Sequence, residues 1–200
     1  MRTSSNRTFK RTVVGAVLAA GLVVAAGVAL RSVHTERVSP AIASYVQGRT
    51  GVVYVASNHS FRATFPVTPI EMSQHITAYG HDITMQIASA NQEEKYSVMI
   101  AAMDLPPGVV PSTGAAGVPK KLTTVSAGAL SAGGKIVGMQ RAMQDGHTAA
   151  DIELTMTHGV RAKFRVVMVS DRRVVVVGVV SPYRDAPGFQ RLIDSLHVQA

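Results

Sequence analysis

Arg161, Lys163 and Arg165 recur at every second position of "GVRAKFRVVMVSDRRVVVVGVV", and Arg172 and Arg173 follow shortly after them. Residues two apart on a strand share one face at about 6.6 Å spacing, so the three cations form a row. The chemistry open to such a row is recognition of an anion: an acidic protein, a lipid phosphate or an acidic cell-wall polymer, in each case weakened by salt. The ordinary reading of the same row is the wet face of a strand, where Lys and Arg discourage aggregation. Asp151 and Glu153 stand two apart on the preceding segment and would neutralise part of the row across a hairpin. The five cations are the candidate partner-binding residues.

Other chemistry is harder to find. His75 and His81 are six apart across a turn, and His147 and His158 sit on an expected hairpin. Neither pair has the spacing of four on a helix, or the third ligand, that marks a metal site, so no metal is expected. His81 and Asp82 are adjacent and would point to opposite sides of a strand, which is poor geometry for a base and its orienting carboxylate. The chain has no cysteine, which removes disulfides, thiolate metal sites and a cysteine nucleophile. With no Gly-x-Ser-x-Gly elbow, no Walker loop and no Gly-x-Gly-x-x-Gly, no catalytic residue and no cofactor is expected. The methionines of the predicted strands, Met139 and Met143 among them, read as core filling rather than copper ligands.

The elements that would position the row begin beyond an unusual amino terminus. The 200 residues are 46% hydrophobic and 16% charged, with a net charge of +8. Residues 1–37 hold six Lys and Arg against one acid, leaving fourteen against eleven in the rest. Most of the basicity is therefore terminal, and a nucleic-acid footprint is not expected. Thr12 to Leu30 is uncharged and flanked by Arg11 and Arg31; as a helix it would cover roughly 28 Å, the hydrocarbon thickness of a bilayer. Arg2, Arg7, Lys10 and Arg11 precede it with no acid, so the amino terminus is expected in the cytoplasm and the rest outside. The alternative is a cleaved signal peptide and secretion, with Ala41 to Ala43 as the cleavage pattern.

The expected organisation is a cytoplasmic tail at 1–11, a transmembrane helix at 12–30, a linker at 31–57 and one domain at 58–200. "FRATFP" alternates apolar and polar residues up to Pro66, as a strand ended by a turn does. Further strands are expected near 76–79, 83–88, 96–102, 135–143, 150–157, 160–169 and 174–180. Short turns at Thr157 to Gly159 and Ser170 to Arg173 make the last three antiparallel neighbours. The valine run 174–177 lacks alternation and suits a central strand covered on both sides, with a helix as one cover. Leu105 to Pro119 is rich in Pro and Gly; a helix is expected over 120–132, and a second carries Phe189, Leu192, Ile193 and Leu196 as an apolar stripe.

"FRATFP", the paired segments "DGHTAADIELTMTHGVRAKFRVVMVSDRRVVVVGVV" and the ending "PGFQRLIDSLHV" resemble the PsbP-like family, whose fold is shared by Mog-type proteins. The likeness runs from Phe61 onward. It implies an α+β fold, an antiparallel β-sheet flanked by helices in an α/β/α sandwich, and a non-enzymatic binding or assembly role with no catalytic motif to carry over. The expectation is thus a membrane-anchored, extracytoplasmic binding or assembly-accessory protein of the cell envelope. The alternative is a small-ligand or lipid carrier with a pocket between sheet and helix.

Overall fold

The computed structural model describes residues 40–78, 81–92, 96–106, 135–156, 159–183 and 185–199. Helix α1 (Pro40–Val46) and strand β1 (Val52–Val55) come first, followed by β2 (Phe61–Phe65), β3 (Ile70–Ala78), β4 (His81–Gln92) and β5 (Tyr96–Asp104). After them come β6 (Lys135–Gln144), β7 (His147–Thr155), β8 (Arg161–Met168), β9 (Arg173–Ser181), helix α2 (Phe189–Asp194) and β10 (His197–Val198). Seven strands make one antiparallel sheet in the order β3-β4-β5-β9-β8-β7-β6, and β1-β2-β10 make a small second sheet.

The valines of β9 do lie at the centre of the large sheet, between β5 and β8, and every residue from Val174 to Ser181 is buried. One face packs Val175, Val177 and Val179 against Phe61, Phe65, Ile42, Leu192 and Ile193 from the small sheet and both helices. The other face gathers Met85, Ile87, Ile152, Phe164 and Val176. Gly178 interrupts the valines because the Phe164 ring lies directly over it, and a Cβ there would sit 2.2 Å from Cδ1.

The helix-flanked sandwich is not what forms. The first face is covered jointly by the three-stranded sheet and by short helices of seven and six residues. The second cluster is built, among the described residues, from strands and the loops beside them. "FRATF" explains the difference: it alternates toward the core as expected but pairs with β1 and β10 instead of joining the large sheet. Among the described residues no helix is long and apolar enough to cross a membrane. The tail 1–11, the stretch Thr12 to Leu30 and the helix expected at 120–132 lie outside the described residues.

The folded region reaches back to Pro40, inside the stretch expected as linker. Ile42 and Tyr45, three apart on α1, are fully buried, and the Tyr45 hydroxyl donates to Thr64 O at 2.8 Å. Burial pushes the Tyr45 hydroxyl pKa well up, which keeps that donor protonated. At the other end of this layer Gly188, at φ 87°, sits against Tyr45 and Tyr96, and a Cβ would meet Tyr96 Oη at 2.5 Å. Tyr54 and Ser57 join the small sheet to the edge of the large one through the Glu71 carboxylate. The Ser57 hydroxyl donates to it at 2.5 Å, and the Tyr54 hydroxyl donates to its other oxygen.

Candidate functional site

The hairpin expected to neutralise part of the basic row does so at one of its three cations, Arg165. In the β7–β8 register Asp151 stands opposite Arg165, Glu153 opposite Lys163 and Thr155 opposite Arg161. Arg165 grips Asp151 bidentately, Nε to Oδ1 at 2.6 Å and Nη2 to Oδ2 at 2.8 Å, and both side chains are more than four-fifths buried. Its Nη1 donates to Gln144 Oε1 at 2.9 Å, while Gln144 Nε2 donates to Leu196 O at 2.7 Å and Ile193 O at 3.3 Å. The last carbonyls of a helix have no partner within it, and Gln144 supplies a donor to Leu196 O just past its end and a second one to Ile193 O, which already accepts from Leu196 N. Arg165 is thus the pin of a network that holds α2 on the sheet.

Arg161 donates to Thr155 Oγ1 at 2.5 Å and carries no ion pair among the described residues. Lys163, half-buried, also carries none. At the far end of the strand pair Arg173 holds Asp104 bidentately at 2.9 and 3.0 Å, and its guanidinium keeps the Asp104 carboxyl below the usual range. Arg172 is exposed and donates Nε to Leu105 O at 3.3 Å. Arg173 lies four strand positions beyond the residue opposite Arg165, about 13 Å along the sheet, with covered Val175 between. The five cations do not make one patch, and two of them are consumed by carboxylates.

Of the histidines, His75 Nδ1 lies 3.1 Å from Thr84 Oγ1. His158 and the side chain of His81 lie outside the described residues. Among the described residues no group of three His, Cys, Asp or Glu is placed to hold a metal ion. Met85, Met99, Met103 and Met156 do fill the core, but Met139 and Met143 are exposed on β6, which among the described residues is an edge strand.

Sequence reasoning named a pocket between sheet and helix as an alternative, without the residues that line it. Because the odd-numbered residues of β8 face the side on which α2 packs, Lys163 looks into a cavity of about 390 Å³ between sheet and helix. Gly138, Gln140, Asp151, Glu153 and Lys163 form its floor, with Phe189 and Gln190 at the helix side. Glu153 is legible only as a neutralising charge; the signal for its companion Gly138 is a lone glycine inside a strand pattern, which marks the β-bulge between Ile136 and Gly138 that sets their register.

Seven antiparallel strands packed on a small sheet and a closing helix invite comparison with solved structures. The solution structure of cyanobacterial PsbP (CyanoP) from Synechocystis sp. PCC 6803 superposes with a TM-score of 0.51 at 11% sequence identity, over 85% of this chain and 99% of that one. The fold is PsbP-like. A protein of unknown function, PA94 from Pseudomonas aeruginosa and named as a putative regulator, aligns at a TM-score of 0.34 and 14% identity, over 55% of this chain and 82% of its own. No family model matches the sequence, and no curated protein does.

Proposed function

We propose that this chain is a non-enzymatic binding or assembly-accessory protein of the cell envelope. Its apolar stretch Thr12 to Leu30 tethers it to the membrane, and the PsbP-like domain works on the extracytoplasmic side. The observation that carries the reading is the uneven use of the cations. Arg165 and Arg173 are tied to Asp151 and Asp104, whereas Arg161, Lys163 and Arg172 carry no ion pair among the described residues and keep their charge for a partner. A partner meeting them is acidic, and its contact weakens with salt. The test is affinity capture of the full-length chain from solubilised membranes, comparing wild type with R161E/R172E. A partner released by about 0.5 M salt and lost in the variant supports the reading, while a partner retained by both overturns it.

A second reading, carriage of a small ligand, is favoured by the cleft between sheet and helix, which stands where that alternative requires a pocket. Native mass spectrometry of the gently purified chain checks it: a retained small molecule supports carriage, and repeated preparations without one count against it.

A further inference from the structure

The floor of the cleft consists of two neighbouring cross-strand rows that end differently. In the row Gln140, Asp151, Arg165 the charges are closed: Arg165 holds both oxygens of Asp151, and Gln140 Nε2 approaches the same carboxylate at 3.5 Å. In the next row Gly138 stands opposite Glu153 and Glu153 opposite Lys163, yet Glu153 and Lys163 form no ion pair. Side chains directly opposed on antiparallel strands have Cβ atoms about 4.5–5.5 Å apart, so an acceptor and a cationic donor are presented within the span of one small molecule.

Glycine at 138 matters to this arrangement. A Cβ there would lie 3.6 Å from Glu153 Cβ and 3.7 Å from Oε2, ordinary contact distances, so glycine leaves the space beside that carboxylate unfilled. Asp151, Glu153, Lys163 and Arg165 sum to zero charge, which favours neither a simple anion nor a simple cation. A half-exposed Lys–Glu contact is worth about 0–1 kcal/mol, so a ligand that engages both groups forfeits little by keeping them apart. The cavity volume of about 390 Å³ falls in the range of small-ligand sites, and Phe189 supplies an apolar wall.

We infer that the open row Gly138–Glu153–Lys163 binds a small zwitterion, its ammonium on Glu153, its anionic end on Lys163 and a short apolar portion against Phe189. The inference rests on the carriage reading and names its ligand class. The same chemistry has two sources, a free α-amino acid and the ethanolamine-phosphate head of a lipid.

The test titrates the ¹⁵N-labelled full-length chain in detergent micelles with leucine, with glycerophosphoethanolamine, and with the one-charge probes acetate and ethylamine. Expected are saturable amide shifts at Gly138, Glu153 and Lys163 with at least one zwitterion, at least tenfold weaker binding of each one-charge probe, and at least tenfold loss in both E153Q and K163M. The zwitterion that binds more tightly identifies the source. Absence of saturable shifts with both zwitterions, acetate or ethylamine binding as well as they do, or undiminished binding in either variant overturns the proposal. If native mass spectrometry still finds a retained small molecule in that event, the ligand class fails and carriage stands; if it finds none, both fall.

Discussion

Removing the Arg165 guanidinium leaves the Asp151 carboxylate, 17% exposed, without two donors and deprives Gln144 Oε1, whose amide nitrogen holds the end of α2, of its own donor. R165M should therefore destabilise the domain by about 2–3 kcal/mol in urea unfolding, because a largely buried charge loses its partner. K163M, two positions away on the same face, should change stability by less than about 0.5 kcal/mol, since it breaks no ion pair among the described residues. A charge-reversal series through the row that does not separate these two positions would confuse unfolding with lost binding. Acid behaviour belongs to other residues. Hydrogen bonds from Ser57 and Tyr54 lower the Glu71 pKa, and Arg173 lowers that of Asp104. A carboxyl held below its unfolded value stabilises the fold in full above roughly pH 4 and loses that contribution as pH falls through the lowered pKa. E71Q and D104N should accordingly cost stability near neutrality, at most about 1 kcal/mol each at these exposed sites, and show a shallower fall of stability between about pH 5 and 2.

Strand β9 works as the central element because it is apolar on both sides and because it yields at one point. Phe164 fills the space over Gly178, so G178A places a methyl group inside the ring and should cost about 1–3 kcal/mol by overpacking. Trimming the ring in F164L/G178A should recover part of the loss, which a double-mutant cycle measures as a favourable coupling; additive losses would show that the clash is relieved elsewhere. Helix α1 is equally tied in. I42A removes a fully buried side chain between the small sheet and the closing helix layer, and a loss of about 2–4 kcal/mol in denaturant unfolding is expected. An effect near zero would mean that α1 is dispensable and that the folded unit begins later than Pro40.

For the whole molecule, the hydropathy of Thr12 to Leu30 and the flanking cations carry the proposed address. The full-length chain should remain in the membrane pellet through alkaline washing, and protease added to intact cells with a permeable outer layer should trim the carboxy-terminal domain. Release by alkali, or a domain that stays protected until the cells are lysed, would place it elsewhere. Net charge of the whole chain is a poor guide to its surface. The basicity concentrates before residue 38, and in the domain two of the five singled-out cations are matched by carboxylates.

Alternation and runs in the sequence located most strands of the large sheet, because a side-chain period of two and a half-buried face leave a direct trace in residue order, but of β3, formed by Ile70–Ala78, they caught only the end. The same logic placed Asp151 and Glu153 across from the basic row and put the valine run at the centre. It missed the Asp145–Gly146 turn that joins β6 to β7, with both residues at positive φ, although Asp-Gly is among the plainest hairpin signals. Sequence could not show that "FRATF" leaves the large sheet for a small one, or that 40–56 folds back to complete that layer, since period fixes which face is apolar and not which surface covers it. Nor could it separate Arg165 from Lys163, which look alike as letters. Only the tertiary fold brought Gln144 and the end of α2 to the first, and left the second beside Glu153 on the floor of an open cleft. Such partners lie far apart in the chain, and their meeting is decided by packing.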